Sequence, residues 1–186
     1  MPTSRRRRAV RTALAALALA SCGGEDSSDA RETTTTTAAS SWSTSTTLSP
    51  EAEVEAAYHE VEALLAELGQ YPDPDDPRLP TLVLEPELSE IRESLAQAAA
   101  ANHTYELGEE SSHRIVSTSV APSGDTAILI VCTVGADRLV DRDTGTVIAE
   151  GVATIKGEVS YRRHEGRWML EDRRVLESWD GIVECA

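Results

Sequence analysis

Apolar residues recur at helical spacing after a long polar stretch. Val54, Ala57, Tyr58, Val61, Leu64, Leu65 and Leu68 fall on one face, while Glu55, His59, Glu60, Glu62 and Glu67 fall on the opposite, solvated one. Ser49 is a good N-cap, Pro50 suits the first helical position, and Glu51 and Glu53 lie at the positive end of the helix dipole. A helix therefore starts at residue 50, and Gly69 supplies its stop. Pro72, Pro74, Pro77 and Pro80 forbid regular structure between them, so an ordered surface loop is expected there. A second helix is predicted from about Pro86 to Ala101, with Leu88, Ile91, Leu95 and Ala98 facing inward.

From residue 104 the pattern changes to strands and tight turns. Ser112 to Val120 and Thr126 to Gly135 flank the turn Pro122-Ser123-Gly124-Asp125, and Asp141 to Gly145 marks the next turn. Val147 to Arg163 and Arg167 to Glu177 flank His164-Glu165-Gly166. Four strands on short loops make an antiparallel meander, with Thr104 to Leu107 as a short strand ahead of it. If Glu165-Gly166 is a two-residue turn, Tyr161 pairs with Leu170 and Arg163 with Trp168. Val159, Tyr161, Trp168 and Leu170 then share one face, which should pack on the first helix. The predicted class is α+β: N-terminal helices packed on a curved antiparallel sheet.

The chain opens differently. Arg5, Arg6, Arg7, Arg8 and Arg11 precede a nine-residue apolar run, Thr12 to Ala20, which is far below the roughly 20 residues a membrane-crossing helix needs. Leu19-Ala20-Ser21-Cys22-Gly23 follows and resembles the lipobox of bacterial lipoproteins. The resemblance implies cleavage before Cys22, a diacylglyceryl anchor on that cysteine, and residence on the extracytoplasmic face of the cell membrane. A short membrane anchor is the competing reading. Residues 1–21 are then the signal peptide, 22–49 a Ser/Thr-rich stalk and 50–186 the folded domain. As a flexible coil the stalk would span about 30 Å. Twin-arginine and general secretory export both stay open.

Charge narrows the partners. The leader holds five of the 17 basic residues and none of the 32 acidic ones, so the remaining chain carries 12 basic against 32 acidic groups, a formal net charge of −20. Such a surface repels phosphates, and nucleic acid is excluded as a partner. The acid excess keeps the domain soluble and away from headgroups, or suits a basic envelope protein. Once Cys22 is assigned to the lipid, Cys132 and Cys185 form an even pair, which in an exported domain reads as a disulfide in preference to two free thiols.

The order of helix, Pro-rich loop, helix and curved sheet is similar to the nuclear-transport-factor-2-like, or cystatin-like, cone fold. More narrowly it resembles small actinobacterial lipoproteins that carry such a domain behind a Thr/Ser-rich stalk. The residues carrying the likeness are the lipobox ending at Cys22, the strand Ala127 to Cys132, the turn Asp143-Thr144-Gly145, the Gly166-Arg167-Trp168 hairpin and the terminal Trp179 and Cys185. The resemblance implies a conical sheet wrapped on a long helix, with a pocket that members fill, use for small molecules, or use for catalysis.

Catalytic motifs are missing. There is no Gly-x-Ser-x-Gly, no His-Glu-x-x-His and no phosphate-cradling glycine loop, so no catalytic residue, metal ligand or cofactor is assigned. Glu55 and His59, one turn apart, could bind a metal, but a solvated helix face is the favoured reading; Asp73, Asp75 and Asp76 cluster in the loop without the glycine and spacing of a calcium loop. The cone-fold resemblance makes Tyr58, Tyr105, Tyr161, Trp168, His113 and Asp172 the residues to inspect. In a chain without phenylalanine, the tyrosines and Trp168 are expected first of all as core. Three functions stay open: a non-enzymatic module for a protein partner or assembly, which the sequence favours; a carrier or sensor of a small apolar molecule; and a small isomerase or cyclase. Cavity size separates them. More than roughly 300 Å³ with converging polar groups points to a ligand, whereas a cone plugged by Tyr58, Tyr161 and Trp168 leaves only the outer surface.

Overall fold

In the computed structural model, residues 48–185 are described; the leader, Cys22 and the stalk with Trp42 lie outside the described residues. Helix α1 spans Pro50–Gln70, and the Ser49 hydroxyl caps it by accepting from the Ala52 amide at 3.2 Å. Contrary to expectation, α1 runs through Gly69. Its terminal carbonyls of Gly69 and Gln70 accept from the Thr104 hydroxyl at 3.2 and 2.6 Å, so no left-handed glycine is needed to satisfy them.

The proline-rich segment also differs from the expected loop. It contains one helical turn, α2 (Leu79–Leu82), which buries Leu79 and Leu82. Pro80 sits in its first turn, where a missing N–H costs nothing. Arg78 fastens the segment to α1, donating to both carboxylate oxygens of Glu67 at 2.9 Å and to Asp76 at 2.7 Å. Helix α3 (Glu87–Ala100) follows a cis peptide between Glu85 and Pro86 and turns Leu88, Ile91 and Leu95 inward.

Seven strands follow: β1 (His103–Glu106), β2 (Ser112–Val120), β3 (Thr126–Gly135), β4 (Arg138–Asp141), β5 (Val147–Glu150), β6 (Ala153–His164) and β7 (Arg167–Asp180). The main sheet is antiparallel in the order β2-β3-β6-β7, which is the expected meander. The expected strand Val147 to Arg163, however, is two strands. It breaks at Gly151-Val152, and β5 pairs with β4 in a separate three-stranded sheet, β1-β4-β5. The short first strand joins that sheet through β4. Bulges between Ile115 and Ser117, and on β7 opposite Lys156–Gly157 and Ser160–Tyr161, bend the main sheet.

The last hairpin has the expected register, Tyr161 opposite Leu170 and Arg163 opposite Trp168. Glu165 and Gly166 both take positive φ, 51° and 84°, as a tight hairpin turn requires. Val54, Tyr58, Val61, Leu64 and Leu68 of α1 form one core with Leu129, Val131, Val159, Tyr161, Trp168 and Leu170 of the sheet. On the other face, a disulfide joins Cys132 of β3 to Cys185. The tail it holds is seated further by Thr154, whose hydroxyl donates to the Gly181 carbonyl and accepts from the Val183 amide. The chain is thus α+β, helices on a curved antiparallel sheet with a second small sheet. No helix among the described residues is long and apolar enough to cross a membrane.

Candidate functional site

The main sheet is longer than the stretch α1 covers. Where the helix passes Tyr58 and Glu62, the inner face continues as His113 of β2, Thr133 of β3, Ile155 and Gly157 of β6, and Val175 of β7. An open cleft of about 310 Å³ results, walled by Val131, Ile155, Val159 and Val175. Gly157 leaves room on its floor.

Polar groups converge at one end. His113 Nδ1 lies 3.3 Å from Thr133 Oγ1, 3.4 Å from Tyr58 Oη and 3.6 Å from Glu62 Oε2. Which of these groups donates depends on the imidazole tautomer. Burial, and then the Glu62 carboxylate, push the Tyr58 phenol well above its ordinary range. Deeper in the core, burial raises the Tyr161 phenol in the same way, with Glu62 and Tyr58 adding to it. Tyr161 Oη is buried and has no hydrogen-bond partner among the described residues. Two guanidiniums border the cleft, and each already holds a carboxylate: Arg173 Nε donates to Glu87 at 2.7 Å, and Arg174 pairs with Glu158 at 2.9 Å.

Of the residues singled out from sequence, Tyr58 is both core and cleft wall. Tyr161 and Trp168 are core, Tyr161 being 1% exposed, and the Arg163 guanidinium stacks 4.7 Å over the Trp168 ring. Tyr105, 43% exposed, lines a different groove of about 390 Å³ beside Leu65, Leu68, Ile91 and Leu95. That groove is larger and is also lined by Glu87, Glu90, Ser94 and Arg173, but its Arg173 and Glu87 already hold one another at 2.7 Å. Asp172 is exposed on β7 and does not reach the cleft. His113 does.

Glu62, Thr133 and Arg173 were not legible as site residues. Glu62 in particular was expected on the solvated face, yet its side chain is only 20% exposed. The available signal was its spacing: Glu62 follows Tyr58 by four, so the two share a stripe of the helix. Among the described residues, no three His, Cys, Asp or Glu side chains converge as a metal-ligand set.

No family model matches the chain, and no curated protein matches it. Solved structures do resemble it. The crystal structure of the intermembrane space region of the chloroplast protein ARC6 aligns with a TM-score of 0.55 at 16% identity, covering 70% of this chain and 98% of that one. At this identity the likeness is one of fold alone.

Proposed function

We propose that this chain is a cell-envelope lipoprotein, anchored through Cys22, whose folded domain binds a small molecule as a carrier or sensor. The observation that carries the binding half is the cleft. Tyr58, Glu62, His113 and Thr133 converge in about 310 Å³ beside an apolar wall. Tyr58, Tyr161 and Trp168 do fill the centre of the domain, but the overhanging sheet keeps an open site beyond them. That favours the ligand reading over a module that works only through its outer surface. The order of basic flank, short apolar run and lipobox supports the location, and the sequence of helix, loop, helix and bent sheet is in keeping with a nuclear-transport-factor-2-like cone. An isomerase or cyclase role has less support, because the chain carries no recognisable catalytic motif around His113, Tyr58 and Glu62.

Native mass spectrometry of the full chain, extracted from membranes in mild detergent, tests both halves. A polypeptide beginning at Cys22 with a diacylglyceryl mass, plus a non-covalent small molecule, is expected. Gly157→Val should strip the small molecule and leave the lipid. A Cβ at residue 157 stands 3.5 Å from Val131 and from the Arg174 carbonyl, ordinary contacts, so the substitution fills the cleft without forcing the backbone. Unlipidated protein would overturn the location, and a bare polypeptide mass would overturn the carrier reading.

A further inference from the structure

We infer that the cleft takes an organic amine: a protonated nitrogen on a small apolar body, with Glu62 as its counter-ion. The inference rests on the ligand-binding reading above and names its chemistry.

The argument begins with what each charge at the cleft already holds. Arg173 is paired at 2.7 Å with the buried Glu87, and Arg174 at 2.9 Å with Glu158, so both guanidiniums are neutralised by this chain's own carboxylates. Glu62 is the reverse case. Its side chain is four-fifths covered, and its basic neighbour is the His113 imidazole at 3.6 Å, a cation only when protonated and too distant for a strong charge-assisted hydrogen bond. A partly covered carboxylate so placed keeps lone pairs to offer to a donor bearing positive charge.

The surroundings suit such a donor. A primary ammonium has three N–H groups to place. Glu62 Oε2, Tyr58 Oη and Thr133 Oγ1 all lie within 3.6 Å of His113 Nδ1, itself an acceptor when unprotonated. The buried, unpartnered Tyr161 hydroxyl stands in the same field, and the Glu62 charge contributes to holding both phenols protonated. Val131, Ile155, Val159 and Val175 supply the apolar wall. The volume equals that of about ten water molecules at ~30 Å³ each, room for a ring or short chain carrying the amine.

Two other classes fit less well. An anion would meet Glu62 while both arginines are occupied, on a chain of formal net charge −15. A bare metal ion would find a single carboxylate beside one imidazole, short of a ligand set.

Three probes of matched size separate the outcomes: 2-phenylethylamine, 2-phenylethanol and 3-phenylpropionate. Each is titrated by calorimetry into the full, oxidised chain in detergent. The amine is expected to bind about ten-fold more tightly than the alcohol, and the acid more weakly than either. Glu62→Gln should bring the amine down to the alcohol's affinity while leaving the alcohol unchanged, which also shows that the variant is folded. Gly157→Val should abolish binding of all three. If the alcohol or the acid binds as tightly as the amine, or if Glu62→Gln preserves the amine's advantage, the amine inference fails and the cleft reading stands. If no probe binds, or if Gly157→Val leaves binding intact, the cleft reading fails with it.

Discussion

Tyr161→Phe should make this protein more stable, although it removes a hydrogen-bonding group from the centre of the core. Tyr161 sits on β6 opposite Leu170, 1% exposed, and its hydroxyl has no partner. Leaving a buried hydroxyl unpaired costs about 1–3 kcal/mol, because the water it gave up is not replaced. Removing the oxygen forfeits little packing. A void of ~10 Å³ at about 24 cal/mol per Å³ amounts to roughly 0.2 kcal/mol. A net gain of about 1 kcal/mol follows, from a residue that would be the chain's only phenylalanine. Tyr58→Phe is the control. Its hydroxyl lies against His113 at 3.4 Å, so the same change there should cost about 0.5–1 kcal/mol. Urea unfolding of the full, oxidised chain measures both, provided the slopes agree between variants. The reasoning is refuted if Tyr161→Phe is destabilised by about 1 kcal/mol or more, since that hydroxyl would then have a partner in solution.

Two further outcomes follow from the fold. Replacing Cys132 and Cys185 by alanine opens a loop spanning 53 positions and should cost about 4 kcal/mol on the chain-entropy model; a loss under about 1 kcal/mol would assign the tail's attachment to Thr154 and to Arg114, whose guanidinium donates to the Cys185 carbonyl at 3.0 Å. Arg78→Ala should move acid unfolding to higher pH. The guanidinium's hydrogen bonds hold the Asp76 and Glu67 carboxyls below their usual range, so their stabilisation is present above the unfolded-state value and is lost as pH falls through the folded one. Without Arg78 that contribution is already missing at neutral pH, and an acid midpoint equal to the parent's would refute the linkage.

The parts of this fold legible in sequence are those where local chemistry and burial agree. Ser49, Pro50 and the apolar stripe announce α1, and the Glu165-Gly166 turn sets the register of its hairpin to the residue. The misreadings share a cause: a local signal that tertiary context reverses. Four prolines mark a loop, yet Pro80 occupies one of the few helical positions that need no N–H, and buried Leu79 and Leu82 hold the turn. Val147 to Arg163 reads as one strand because a run rich in β-formers continues past Gly151 with no strong turn signal, and only the partner strands show that β4 captures the first part. Glu62 was placed with the solvated carboxylates because a helix face is ordinarily wet. Which turns of α1 the sheet overhangs is a relation between distant segments, and no window of sequence contains it.

That overhang is also what makes a site. At 1.5 Å per residue, the 21 residues of α1 extend about 31 Å, and its bulky side chains meet the part of the sheet that bears Leu129, Val159, Tyr161 and Leu170. Farther along, the same inner face carries Thr133 and Gly157, too small to fill the space beside the helix, and His113, whose imidazole meets Tyr58 and Glu62 of α1. The β7 bulge opposite Lys156–Gly157 bends the sheet at that place. Packing alone would favour an aliphatic residue at position 62, one turn beyond Tyr58, to extend the core over this face. The chain instead carries a carboxylate there, which opposes ionisation of both buried phenols, while the two guanidiniums bordering the cleft are paired with Glu87 and Glu158. A carboxylate where packing would favour an aliphatic side chain, beside an open stretch of the sheet, is expected of a residue that serves a ligand and not the core.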